Sequence, residues 1–284
     1  MKQREMHAWI KQFRAKHYGL FRKIVDHKMI QQVLVKTVGQ LNRKVRTPEG
    51  YYAYVNPFYH SQFYSEGSIL EYEPHIRKFF EGVLRDGMVV YDIGANVGIF
   101  SLLFAKKVGS GGQVYAFEPE VINCSRLQLS KAHNHLTQLR IEFCCVDEHT
   151  GNQLFDRRGG AFSGRIVDAG AMDTRHHISV KRSVSIDDYV ISQNNAPPDV
   201  VKIDVEGHEY KVLRGMMKTL RENRPVIMLE LHQQLCDSIP DIHELFASSG
   251  YACGDLYEFV QSGFRPLSLD EFRRAFHIIA KSDK

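Results

Sequence analysis

Long apolar runs are missing from this chain of 284 residues. No stretch of eighteen consecutive apolar residues occurs, so no transmembrane helix is expected. The opening MKQREMHAWIKQFR has no apolar central segment and is too charged for a secretory signal. Cysteine is scarce. Cys124, Cys144, Cys145, Cys236 and Cys253 show neither C-x-x-C spacing nor an even framework. That argues against disulfide and zinc scaffolds and for reduced thiols in a cytoplasmic protein, with Cys144 and Cys145 as strand packing. Internal repeats and low-complexity segments are also absent. Two phosphate-binding signatures are lacking as well. No Walker lysine follows a glycine loop, and no glycine triplet has the G-x-G-x-x-G spacing of a dinucleotide fold.

What is present is an ordinary globular composition, 43% hydrophobic and 25% charged. The net charge of +4 hides an asymmetry. Residues 1–47 hold twelve Lys/Arg and two acids, a net of 12 − 2 = +10, and the remaining 25 basic and 31 acidic residues give −6. Ile10, Phe13, His17, Leu20 and Ile24, then Ile30, Val33, Leu34, Val38 and Leu41, recur at helical spacing. We therefore expect a basic amphipathic helical extension over residues 1–49. It would pack on the body or on a second copy as a homodimer, or make peripheral contact with an acidic membrane. Nucleic acid is not expected as a partner, because no recognition motif accompanies the charge. The turn signal Thr47-Pro-Glu-Gly50 marks the boundary, and a domain over residues 50–284 follows.

From residue 88 apolar runs alternate with helical patterns. MVVYDI, QVYAFEP, RIEFCCV, DVVKIDVEG and PVIMLELH read as strands with helices between them. This is the signature of βαβ units and a mostly parallel sheet. VVYDI, VVKID and VIMLEL stay apolar up to their acid, as strands buried on both faces do. Residues 152–187 break the rhythm and read as a hairpin-like insertion. Residues 74–84 read as a helix started by Pro74, with Glu73 as its cap.

The stretch VVYDIGANVGIFS carries the first strand into a glycine bend and a helix. In an open parallel sheet ligands sit beyond the carboxyl ends of the strands. Asp92, Gly94, Ala95, Asn96 and Gly98 therefore form the candidate binding loop. Glu118, 24 residues after Gly94 at the end of the second strand, is placed to accept from ribose hydroxyls. The series G-x-N-x-G is one residue short for a pyrophosphate. It suits a ligand without phosphates, such as S-adenosylmethionine (SAM), whose ammonium Asp92 would hold.

VVKIDVEGHEYKVLRGM, together with VVYDIGANVGIFSL, VYAFEPE, VIMLELH and GSILEYEP, resembles the FkbM-type methyltransferases, a branch of the class I SAM-dependent superfamily. The resemblance covers roughly residues 70–235. It implies an α/β Rossmann-like sheet of seven mostly parallel strands, and methyl transfer to a hydroxyl of a sugar or secondary-metabolite acceptor. Carried over by position, it places Cys145, Val146 and Asp147 near the adenine, and has Asp204 and Glu206 face the methyl group or the acceptor.

Methyl transfer to an alcohol needs a base as the bond forms. Asp204, Glu206, His208, Glu230 and His232 all lie at the ends of the fourth and fifth strands and are the candidates. Asp204, Glu206, Glu230 and His232 also offer oxygen and nitrogen donors for a divalent metal, although no ligand spacing demands one. Two other readings compete. One is a non-catalytic SAM-binding scaffold docked through its basic helices, and the other is an NAD-dependent oxidoreductase.

Overall fold

The computed structural model describes residues 41–57, 59–156, 164–167, 178–232, 239–251, 256–260, 263–267, 271 and 275–281. The helical reading of residues 6–42 falls outside these apart from its last two positions. The first regular elements are strands β1 (Arg43–Arg46) and β2 (Tyr52–Val55), an antiparallel pair. The turn at 47–50, read from the sequence as a boundary, instead joins these two strands, with the Gly50 amide donating to the Thr47 carbonyl at 2.9 Å. Residues from 43 onward thus belong with the body.

Short helices α1 (Glu66–Leu70) and α2 (Pro74–Val83) lead into the main sheet. Its parallel core is β3 (Val89–Ile93), β4 (Gln113–Phe117), β5 (Leu139–Glu142), β10 (Val200–Ile203) and β11 (Val226–Glu230), in the order β5-β4-β3-β10-β11. Beyond β11 lie β14 (His277–Ala280), β12 (Leu256–Val260) and β13 (Gly263–Pro266), and β14 runs antiparallel to β11. Among the described residues the sheet has eight strands, one more than the expected seven, because β13 adds a hairpin partner to β12 at the edge. Strand order reverses at β3, since β4 lies on one side of it and β10 on the other. That is the switch point where α/β sheets bind ligands.

Connecting helices α3 (Ile99–Val108), α4 (Val121–His133), α5 (Ile186–Ile191), α6 (Glu209–Arg214), α7 (Met217–Asn223) and α8 (Ile239–Ser248) complete the layers. Side chains alternate between the faces of each strand. Tyr91, Ile93, Val201, Ile203, Ile227 and Leu229 pack in one core with Tyr189, Leu213 and Phe246. Val90, Val200 and Met228 pack in the other with Phe80, Phe100, Phe104 and Leu127. Burial on both faces explains why these strands read as unbroken apolar runs.

Between β5 and α5 a second sheet of order β6-β9-β7-β8 forms from β6 (Cys145–Val146), β7 (Gly151–Asp156), β8 (Arg165–Val167) and β9 (Ile178–Val184). β7 pairs antiparallel with both β8 and β9. Lys181 of β9 reaches Glu120 beyond β4 at 3.2 Å, tying this sheet to the rim of the larger one.

Candidate active site

The first strand ends at Ile93 and the chain turns through three residues of positive φ: Gly94 (82°), Asn96 (53°) and Gly98 (81°). A Cβ on Gly94 would lie 1.8 Å from the Asp204 carbonyl oxygen, and one on Gly98 would lie 2.1 Å from Leu127 Cδ1. Both positions therefore need glycine twice over, for the left-handed backbone and for the close approach. Asn96 tolerates the left-handed region because its Oδ1 accepts from the Val97 amide at 2.7 Å.

Glu118 faces this bend. Its Oε2 accepts from the Asn96 amide at 2.8 Å, and its Oε1 from the Glu120 amide at 2.8 Å and Asn123 Nδ2 at 3.2 Å. Burial nonetheless raises its carboxyl to about 7, against those three donors, which pull the other way. A chain of hydrogen bonds stands behind it. His60 Nε2 lies 2.9 Å from Asn123 Oδ1, and His60 Nδ1 accepts from the Asn56 amide at 2.9 Å. The His60 proton is therefore on Nε2.

The strand tips bring acids together by register. Ile203 pairs with Ile93 on one side and Leu229 on the other, so Asp204 falls level with Gly94 and Glu230. Lys202, buried in the middle of β10, reaches Asp204 Oδ2 at 3.0 Å and stacks 5.4 Å over the Phe100 ring. Burial alone would lower its pKa, but Asp204, Asp92, Glu73 and Glu230 together raise it above the usual lysine range. His232 Nδ1 lies 2.7 Å from Oε1 of the fully buried Glu209, which also accepts from the Gly207 amide at 3.0 Å. His232 Nε2 faces Glu206, Glu230 and Asp204 at 3.5, 3.7 and 3.9 Å. Burial lowers the His232 pKa, but Glu209 and then Asp204 and Glu206 outweigh it and raise the ring to about 9. The Glu206 carboxyl is raised, first by burial.

One cleft of about 920 Å³, counted to its solvent mouth, joins the bend to the acids. Gly94, Asn96, Glu118, Cys145, Val146, Asp204, Glu206, His208 and Glu230 all line it.

Several expected residues stand elsewhere. Asp92 is fully buried, accepts from Ser101 Oγ at 2.5 Å and does not line the cleft, so it supports the bend from beneath. Ala95 and Gly98 shape the turn without reaching the cleft wall. Asp147 also lies off the wall, because its Oδ1 is 2.8 Å from His208 Nε2. That pairing, together with positive φ at Glu206 (55°) and Gly207 (97°), turns the His208 ring away from the carboxylate group. His232 reaches that group from behind the wall. Glu73 does not cap α2. No side-chain cap bond forms, its φ is 45°, and its carboxyl lies with Tyr72, Lys202, Glu230 and Asp204.

Sequence reasoning placed Glu209 in the candidate cluster but missed Lys202, and missed Tyr72, Phe155 and Arg165 on the cleft wall. A lone lysine inside an otherwise apolar strand was the signal for Lys202.

The doubly wound sheet, its glycine bend at the switch point and the carboxylate facing that bend define a Rossmann-like class of α/β protein. Residues 92–253, more than half of the chain, match the family model of the methyltransferase FkbM domain, and the chain belongs to that family. It is 30% identical to the hexuronic acid methyltransferase AglP of Haloferax volcanii, covering 55% of this chain and 61% of the relative. It is also 30% identical to the 31-O-demethyl-FK506 methyltransferase FkbM of Streptomyces tacrolimicus, covering 47% of this chain and 61% of that one. The chain thus spans about three-fifths of the length of these curated relatives. A crystal structure of methyltransferase FkbM from Methylobacillus flagellatus covers 90% of this chain and 60% of its own, at 17% identity and a TM-score of 0.44.

Proposed function

We propose that the protein is a SAM-dependent O-methyltransferase acting on a hydroxyl of a sugar or secondary-metabolite acceptor. The observation that carries this reading is the contact between Gly94 and the Asp204 backbone, which puts the bend and the acid group in one cleft. The residues present fit the donor. Gly94 and Asn96 bring the bend onto the cleft wall, and Glu118 is held at the end of β4 by three donors with its carboxylate on the same wall. Cys145 and Val146 supply an apolar wall for a purine. Bound SAM supplies an activated methyl group on a sulfonium, so the protein's work is alignment and proton removal.

The acceptor enters against Asp204, Glu206 and Glu230. Lys202 holds Asp204 Oδ2, leaving Oδ1 on the side of His232. The hydroxyl proton passes to this carboxylate group as the new bond forms, a contribution of roughly 10²–10⁴-fold. His232 Nε2 faces this group, and Glu209 fixes the ring in that position. The two curated relatives, named for a hexuronic acid and for a 31-O-demethyl compound, support a hydroxylated acceptor.

The test is calorimetry with S-adenosylhomocysteine, followed by incubation with methyl-labelled SAM and a metabolite extract and mass spectrometry of the products. Binding with a labelled oxygen ether is expected. No binding by the wild-type protein would overturn the reading, and binding without any labelled product would favour the scaffold alternative.

A further inference from the structure

We propose that Asp204, Glu230 and His232 form a divalent-cation site at the acceptor end of the cleft, with Glu206 beside it and Glu209 orienting the imidazole. One donor atom from each of the three residues lies within 4.8 Å of the others. The spacing around His232 Nε2 is informative. Oxygens of Glu206, Glu230 and Asp204 stand 3.5, 3.7 and 3.9 Å away. These gaps are too long for hydrogen bonds. They match the roughly 3–4 Å separating two ligands that each sit about 2.1 Å from a shared ion.

The other ring nitrogen is already committed. Nδ1 is 2.7 Å from Glu209, a carboxylate with no exposed surface. A histidine that ligates through one nitrogen usually gives the N–H of the other to a carboxylate, which fixes the ring and its tautomer.

An independent observation comes from Glu230. It is 8% exposed and lines the cleft; its Oε1 faces His232 Nε2 at 3.7 Å, and its Oε2, which has no hydrogen bond, faces His277 Nε2 at 3.7 Å. A carboxylate this deeply buried is costly unless cationic groups or donors surround it. Charge points the same way. Glu73, Asp204, Glu206 and Glu230 gather around Lys202 and His232, so acids outnumber bases. Carboxylates mixed with an imidazole suit a first-row ion such as Mn²⁺ better than Ca²⁺, which prefers oxygen throughout. An ion here would hold the oxygen of a hydroxylated acceptor. That consequence rests on the methyl-transfer reading, whereas the cation site does not.

The experiment uses the full chain, stripped with a chelator, dialysed and titrated with MnCl₂ while free Mn²⁺ is followed by electron paramagnetic resonance. One ion per chain is expected, with a Kd below roughly 100 µM. Glu230→Gln and Asp204→Asn should each weaken it at least about tenfold. Glu222→Gln, at an exposed position of α7, should leave it unchanged. Pulsed spectra of the wild-type complex should show coupling to an imidazole ¹⁴N. Wild-type protein that binds no stoichiometric Mn²⁺ up to about 1 mM, or binds it without ¹⁴N coupling, overturns the proposal whatever the variants do. Loss of methyl transfer with Mn²⁺ binding intact would strike the functional reading and leave the site standing.

Discussion

Glu118 carries the clearest consequence of a single side chain. Its carboxylate is built in by two backbone amides and Asn123, so Glu118→Ala removes a ligand contact and leaves those donors unpaired. We expect S-adenosylhomocysteine affinity to fall at least about tenfold by calorimetry, consistent with the ~1–3 kcal/mol left by an orphaned buried polar group. Gly94→Ala should be worse. The new methyl would overlap the Asp204 carbonyl in a backbone already at φ 82°, so both cofactor binding and the melting temperature should drop. His60 provides a pH signature. Burial, above all, lowers its pKa to about 4 from the usual 6.5, against the Asn123 hydrogen bond. The folded ring stays neutral where the unfolded ring charges, so the unfolded chain binds more protons between those values. The stabilisation is complete above pH 6.5 and is lost as pH falls toward 4, about 3 kcal/mol in all. Denaturant titrations at pH 7.5 and pH 4.5 should show a smaller loss in His60→Gln than in wild type. Sequence alone named both His208 and His232 as bases. It did not tell them apart, because the turn at Glu206 and Gly207 decides which ring faces the acids, and residue spacing does not encode that turn.

At the scale of elements, the edge of β2 is closed by a helix. Asn134, just past α4, accepts from the Tyr52 amide at 2.8 Å and donates to the Tyr52 carbonyl at 2.7 Å, while Ser130 Oγ accepts from the Tyr54 amide at 2.8 Å. Asn134→Ala should cost about 1–3 kcal/mol in denaturant unfolding, because strand groups lose their partners. β3, β4, β10 and β11 were legible because burial on both faces leaves no polar alternation to confuse, whereas the edge strand β5 was read as one run with Cys145 and Val146, which belong to the second sheet as β6. β1 was not: Arg43, Lys44 and Arg46 read as part of the basic extension, and only their pairing with residues 52–55 makes them strand. β14 was equally hidden, since its partner β11 lies about fifty residues upstream and no local pattern announces an antiparallel return.

At the scale of the molecule, the cleft has a floor and a wall of different origin. The floor is the sheet tip, and the wall includes Phe155 of β7 and Arg165 and Ile166 of β8. Arg165→Ala removes a charged group from this wall and should weaken ligand binding in the cleft, and the comparison of donor affinity with acceptor KM shows which ligand it meets. Steady-state kinetics beside calorimetry would check this. The charge asymmetry of +10 and −6 lies partly in residues outside those described. Among the described residues no helix is long and apolar enough to cross a membrane. The bend at Gly94 touches the backbone of Asp204 with no space between them. Bend and acid-bearing strand tip are therefore cast as one block: neither can shift without dislodging its neighbour. Only the outer panel is left to be resculpted while that foundation stays as it is.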